Sequence, residues 1–107
     1  MRIQVVPEFE KALKKLSKKY PSLRSDFLHF LADLDEDPYI GAELFPNCRK
    51  VRMAIKSKGR GKSAGARIII YIQGDRDQIT LLYIYDKSEI DNLATDFIEY
   101  LIRLWVE

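Results

Sequence analysis

The sequence predicts an α+β fold with two antiparallel N-terminal helices, a twisted antiparallel β-sheet of about four strands, and a C-terminal helix. Two observations predict this order. Apolar residues recur at helical spacing near both ends of the chain, whereas between Lys50 and Tyr85 they alternate with polar residues at the period of a β-strand. We expect one domain over residues 1–107, because a chain of 107 residues with 47% apolar residues can build one core but has no room for a second.

The first third of the chain predicts a short strand and two helices. Ile3, Val5 and Val6 form an apolar run that stops at Pro7, which lacks the N–H that a β-ladder needs. Two stripes at helical spacing follow, and the short break at Tyr20–Ser22 makes the two helices antiparallel neighbours. The first stripe comprises Phe9, Ala12, Leu13, Leu16 and Tyr20, and the second comprises Leu23, Phe27, Phe30, Leu31 and Leu34.

The middle of the chain predicts three consecutive antiparallel strands. Val51, Met53 and Ile55 alternate with polar residues, which indicates a half-buried strand with a basic outer face. The glycine-rich segment 57–65 reads as a loop, and the turn 74–77 joins a strand in ARIIIYIQ to a returning strand that ends near Tyr85.

The end of the chain predicts a helix. Ser88–Asp91 has the form of a capping box, and the stripe Ile90, Leu93, Ala94, Phe97, Leu101 and Leu104 follows it at helical spacing. A second stripe, Ile98, Ile102 and Trp105, makes the apolar arc wide. For this second stripe, burial and a partner surface are both open.

Several classes of site are disfavoured by composition. The single cysteine, Cys48, excludes an intramolecular disulfide and a cysteine zinc site, and we expect it to be a small buried side chain. No group of His, Cys and carboxylates has metal spacing, His29 is expected to be solvated, and we expect no metal and no cofactor. GRGKSAG resembles a phosphate-binding loop, but Lys56 replaces its first glycine. With no apolar run of about 20 residues and no signal peptide, we expect a cytoplasmic protein without a membrane segment.

The basic residues are concentrated in one stretch. Arg49–Arg67 holds eight Lys or Arg residues and no Asp or Glu, although the whole chain has a net charge of only +2. Side chains two apart share a face of a strand, so a suitable register would interleave these cations with tyrosines, as single-stranded nucleic acid requires. Alternatively, the tyrosines simply pack at a sheet margin. The candidate RNA-binding residues are Lys50, Lys56, Lys58, Arg60, Lys62, Tyr71 and Tyr83.

RNA cleavage without a metal is chemically possible, because the 2′-OH can attack its own phosphate while the enzyme supplies cations for the developing charge. Arg67 is the candidate for stabilising the phosphorane, since a guanidinium is a fixed bidentate donor. Lys87 is the candidate proton-transfer group, because neighbouring cations would disfavour its protonated form.

In order, the chain has two helices, the segments KVRMAI, GRGKSAGARIIIY and LLYIYDKSE, and a final helix. This order resembles that of the RelE/ParE superfamily of type II toxins, particularly its RelE- and HigB-like branch. The resemblance implies a toxin that cleaves messenger RNA on the ribosome by 2′-OH attack, with basic site residues at Arg52 and Arg67 and last-strand residues at Tyr85 and Lys87. Many relatives read GKSGGAR where Ala64 stands here.

The resemblance also implies partners. These are the ribosome, mRNA and a cognate antitoxin from the same operon, for which Ile98, Ile102 and Trp105 are the candidate contact residues. The ParE branch of the same superfamily poisons DNA gyrase instead, so a non-catalytic inhibitor that uses the same basic face is the alternative. Fold alone does not separate the two.

Overall fold

The computed structural model describes residues 1–59 and 61–107 and confirms the α+β class. Within these residues it has three α-helices and one five-stranded sheet. The strands are β1 (Arg2–Val5), β2 (Ala42–Phe45), β3 (Cys48–Met53), β4 (Ala66–Gln73) and β5 (Gln78–Asp86), and the helices are α1 (Pro7–Lys19), α2 (Leu23–Glu36) and α3 (Thr95–Trp105).

The sheet has the strand order β1-β5-β4-β3-β2 and differs from the prediction in two respects. Over the described residues it contains five strands rather than about four, because β2 was missed. The four residues of β2 are largely exposed at a sheet edge, so they carry no alternation of buried and exposed side chains. The sheet is also mixed, since β1 pairs with β5 in parallel whereas the other pairs are antiparallel.

The two N-terminal helices lie where periodicity predicts them. The first begins at Pro7, which needs no N–H partner at this position, and carries acidic residues in its first turn and lysines in its last. The second ends at Glu36, after which the Asp37 carboxylate accepts a hydrogen bond from the Tyr39 N–H at 3.0 Å. The rings of Phe9 and Phe27 pack 5.6 Å apart and join α1 to α2. Both helices cover the sheet face that carries Val51, Ile68 and Ile84.

The C-terminal helix begins at Thr95, so the predicted start at Ser88 was wrong. Ser88 does not cap a helix because it is engaged with Asp86: its Oγ donates to the Asp86 carboxylate at 2.7 Å and its N–H donates at 2.9 Å. The helix packs on the opposite sheet face from α1 and α2, where Phe97 meets Tyr83 edge to face.

The apolar stripe Ile98, Ile102 and Trp105 is divided by this packing. Ile98 and Ile102 are 3% and 4% exposed, so they belong to the core and do not form an open surface. Trp105 is 39% exposed, and its indole N–H donates to Glu8 at 2.8 Å, which ties the end of α3 to the start of α1. The sheet covers both isoleucines, so part of the second stripe belongs to the buried face of the helix. This is why the apolar arc of the helix is wide.

The central strand β4 is deeply buried, and Ala66, Ile68, Ile69 and Ile70 have no exposed surface. Cys48 is also fully buried, and burial raises the pKa of its thiol to about 12. No helix in the described part of the chain has the length and apolarity needed to cross a bilayer.

Candidate nucleic-acid interface

The strand register brings three predicted site residues into one row. Arg52 on β3 lies opposite Arg67 on β4, and Arg67 lies opposite Tyr85 on β5. We call Arg52, Arg67 and Tyr85 the arginine row. The next row on the same face contains Lys50, Ile69 and Tyr83. Positions that are far apart in the sequence therefore meet on one sheet face, as the alternation within each strand predicts if the strands align.

Arg67 is buried, at 5% exposure, and its guanidinium holds the glycine loop. It donates to the carbonyls of Lys62 and Ser63, each at 2.9 Å, and to its own neighbour Ala66 at 3.2 Å. Burial lowers the pKa of Arg67, and the positive charge of Arg52 lowers it further. An arginine keeps its charge under such conditions, so the row places a fixed cation beneath the loop.

Gly65 explains why this loop can lie so close to the sheet. A Cβ at this position would stand 2.1 Å from the carbonyl oxygen of Met53, so only glycine fits. The Gly65 carbonyl in turn accepts a hydrogen bond from the Lys87 N–H at 3.1 Å. The loop is thereby fixed to the ends of both β3 and β5.

Tyr85 is buried as well, at 3% exposure. Burial raises the pKa of its phenol, although the positive charges of Arg67 and Lys87 act in the opposite direction. Near neutral pH the residue is therefore a neutral hydroxyl, which can donate or accept a hydrogen bond but supplies no phenolate.

Lys87 lies beside the row and is paired with Asp91. Its ammonium group donates to the Asp91 carboxylate at 2.8 Å and to the Asp91 carbonyl at 2.7 Å. The hydrogen bond and charge of Lys87 lower the pKa of Asp91, and Lys50 contributes in the same direction. An ammonium group carries hydrogen-bond donors and no acceptor, so Lys87 contributes a positive charge and donors to this part of the site.

Lys58 was predicted to contact RNA, and the structure places its side chain in a partly buried cluster around the buried carboxylate of Asp86. Its ammonium group donates to the Asp86 carboxylate at 2.9 Å and to Ser88 at 3.2 Å, and Tyr20 donates to the same carboxylate. We call Asp86, Lys58, Tyr20 and Ser88 the Asp86 cluster. Burial alone would raise the pKa of Asp86, but these hydrogen bonds outweigh it and hold the pKa well below its usual range.

The remaining predicted RNA contacts fall into three groups. Lys56 and Lys62 are exposed beside the arginine row, whereas Arg60 lies outside the described residues. Tyr71 and Tyr83 lie on the same sheet face but beside α3. The Tyr83 ring is 5.1 Å from that of Phe97, so α3 occupies one edge of it.

A cleft between α2 and the edge of β3 contains residues that the sequence pattern does not connect with the site. It has a volume of about 320 Å³ and is lined on one side by Asp26, His29 and Asp33. Arg52, Lys56 and Lys62 line the other side. The helical positions 26, 29, 30 and 33 recur at the spacing of one helix face, which is the signal that could have linked His29 to the site.

No protein-family model matches the chain. Among solved structures, it is similar to a free-state double arginine-to-alanine mutant of the Escherichia coli toxin RelE, with a TM-score of 0.60 and 14% identity over 98% of this chain and 97% of that one. It is also similar to the isolated E. coli RelE toxin, with a TM-score of 0.56 and 17% identity over 96% and 97% of the two chains. The chain has the fold of the RelE toxin.

The RelE-like fold explains how the site is assembled, since three antiparallel strands carry the arginine row and two loops close over its end. In chemical terms this arrangement offers exposed cations at Arg52 and Lys62, a neutral phenol and an ammonium proton donor. Such groups can bind an anion and can protonate a leaving oxygen. Within residues 1–59 and 61–107, no three His, Cys, Asp or Glu side chains cluster as a metal site would require.

Proposed function

We propose that this RelE-like chain is the toxin of a type II toxin-antitoxin system and cleaves messenger RNA on the ribosome. The observation that carries the proposal is the arginine row, because it places the exposed Arg52 beside the buried Arg67, next to the glycine loop. Two adjacent cations beside a glycine loop suit a reaction in which negative charge accumulates on a phosphate.

The reaction that these groups can support is attack by the ribose 2′-oxygen on the adjacent phosphorus. The bond between phosphorus and the 5′-oxygen breaks, and the products carry a 2′,3′-cyclic phosphate and a 5′-hydroxyl. Arg52 and Lys62 stabilise the charge of the phosphorane. The Lys87 ammonium group protonates the leaving 5′-oxygen and recovers its proton from solvent, while the proton of the 2′-OH is lost to water.

Arg67 has a positioning role in this proposal. Its hydrogen bonds to the carbonyls of Lys62 and Ser63 fix the backbone from which the Lys62 side chain projects. Its charge also raises the positive potential at Arg52, with which it shares a row. Tyr85 contributes a neutral hydroxyl at the end of that row.

Neutralisation by a cognate antitoxin is part of the proposal. On α3 the exposed residues Tyr100, Leu104 and Trp105 are 50%, 48% and 39% exposed, which is unusual for large apolar side chains on one short helix. We propose that the antitoxin covers this exposed part of α3, including Trp105, rather than the buried Ile98 and Ile102.

The test is cleavage of mRNA in a purified translation system, with the 5′ ends of the products mapped by primer extension. We expect the wild-type protein to cleave, and Arg52→Ala to reduce the rate roughly 100-fold, the usual cost of losing one donor to a developing oxyanion. The matched control is Arg24→Ala, which removes an exposed arginine of α2 from outside the row. A message with a 2′-deoxy nucleotide at the mapped site should resist cleavage, and cleavage of that message would refute 2′-OH attack.

One observation favours a second function. Arg67 and Tyr85 are both buried, so part of the row is unavailable to a substrate in this conformation. A non-catalytic ParE-like inhibitor that grips its target with the exposed cations would need no reactive group. Inhibition of DNA supercoiling by gyrase, together with intact mRNA in the translation system, would support this second function and exclude the first.

A further inference from the structure

The cleft between α2 and β3 has the dimensions of a small-ligand site. Its volume of about 320 Å³ falls at the lower end of the range of roughly 300–1,000 Å³ typical of such sites. Buried apolar side chains of Phe30, Val51 and Met53 form its floor. The cleft continues around β3, because a neighbouring cavity is also lined by Val51, Arg52 and Lys62. It therefore connects directly to the arginine row.

The edge of β3 is accessible here because β2 is short. Ala42 pairs with Lys50, and the pairing of β2 with β3 extends no further toward Met53. On this edge the second half of β3 consequently has α2 rather than a strand as its neighbour, and the space between them is the cleft. A short edge strand thus opens a binding space instead of extending the sheet.

The two walls of the cleft differ in charge. The β3 wall carries three exposed cations, Arg52, Lys56 and Lys62. The α2 wall carries the exposed side chains of Asp33 and His29. A phosphate is attracted to the first wall and repelled by the carboxylate on the second. A nucleotide would therefore lie with its phosphate toward β3 and its base toward α2.

Asp26 differs from Asp33 because it is buried and one of its carboxylate oxygens already accepts two hydrogen bonds. It is 6% exposed, and its carboxylate accepts hydrogen bonds from Ser22 at 2.7 Å and from the Lys56 N–H at 3.0 Å. These bonds fix the backbone of Lys56 at the rim of the cleft. Asp33 is the carboxylate that is exposed to a ligand.

We propose that this cleft is a nucleotide subsite that selects guanine, and this proposal rests on the proposed function as an RNA-binding toxin. A carboxylate only accepts hydrogen bonds, and guanine is the RNA base whose Watson–Crick edge presents two adjacent donors, N1–H and the 2-amino group. Asp33 accepts both. The base lies on the apolar floor of the cleft, and the phosphate is bound by Arg52 and Lys56.

The experiment is a nuclear magnetic resonance titration of the ¹⁵N-labelled protein with GMP, AMP, CMP and UMP. We expect GMP to bind roughly five- to tenfold more tightly than AMP, the lower part of the range for one bidentate base contact. Backbone amide shifts should change most near His29, Asp33 and Arg52. Arg52→Ala should weaken all four nucleotides alike, because it removes a phosphate contact.

The matched variants are Asp33→Asn and Asp35→Asn, which make the same change of charge on the same exposed helix. Asp33→Asn should abolish the preference for GMP, whereas Asp35→Asn, outside the cleft, should retain it. Equal affinities for GMP and AMP in the wild-type protein, or equal effects of the two variants, would overturn the proposal. Shifts confined to the lysines of α1 would overturn it too.

The outcomes also separate this inference from the proposed function. If GMP is not preferred but Arg52-dependent cleavage of mRNA occurs, the guanine subsite is refuted and the function stands. If GMP is bound selectively through Asp33 while mRNA stays intact, the subsite stands and the nuclease is refuted.

Discussion

The Asp86 cluster allows a quantitative prediction for Asp86→Asn. Asparagine keeps the size of the side chain but removes the charge that balances Lys58, whose side chain is only 14% exposed. Breaking a buried ion pair by removing one partner costs about 3–5 kcal/mol, and the residual exposure of Lys58 favours the lower limit, about 3 kcal/mol. For a domain of this size we expect the melting temperature to fall by roughly 12 °C.

A double-mutant cycle tests the physical reason. Lys58→Met removes the other charge, so the variant carrying both substitutions has no uncompensated ion in the cluster. We expect the double variant to lose at least about 1 kcal/mol less than the sum of the single losses. The measurement is urea denaturation followed by circular dichroism. Additive losses would show that the charge pairing is not what Asp86 contributes.

The exposed pair Lys87–Asp91 provides the control for this cycle. Its carboxylate side chain is 89% exposed and screened by solvent, so Asp91→Asn should destabilise the protein far less than Asp86→Asn does. If Asp91→Asn and Asp86→Asn destabilise the protein equally, burial does not determine the cost and the reasoning fails.

Three further predictions concern acid stability, thiol reactivity and the glycine loop. The folded-state pKa of Asp86 is depressed, so its contribution to stability is complete above the unfolded pKa of about 4 and is lost as the pH falls toward the folded value. When the free energy of unfolding is measured across pH 2–6, Asp86→Asn should therefore lose less stability on acidification than the wild-type protein. Cys48 should react with a thiol reagent at pH 8 roughly 1,000-fold more slowly in the folded chain than in urea, because burial reduces its thiolate fraction by about that factor. Gly65→Ala should cost at least about 2 kcal/mol, measured by urea denaturation, since its Cβ would meet the Met53 carbonyl.

The sequence predicted the elements with strong periodicity and failed where periodicity is weak. The apolar stripes from Phe9 and from Leu23 identify α1 and α2 because each helix has one buried face. The strand β2 gave no such signal, since only Phe45 among its residues is even partly buried. At Ser88, a capping motif was present but its hydroxyl bonds to Asp86, a tertiary contact that local sequence does not contain.

The candidate site was predictable in its strands but not in its loops. Alternation along each strand correctly placed Arg67 and Tyr85 on faces that could meet, and the observed register aligns them. Burial of both side chains was not predictable, because it results from the loops that close over the sheet. The apolar stripe of α2 indicates only that His29 faces away from the core, and the tertiary fold is what brings it to the cleft that Arg52 also lines.

The charge count of the basic stretch overstates the charge available to RNA. Arg67 is buried with its donors on loop carbonyls, and Lys58 is paired with Asp86, so both cations serve to fix the loop. Acidic residues that are remote in sequence thus organise the basic loop, and the positive surface is left to exposed side chains such as Arg52 and Lys62. A small number of fixed cations beside a cleft suits recognition of one phosphate and its base, whereas eight mobile cations would bind any polyanion without selection.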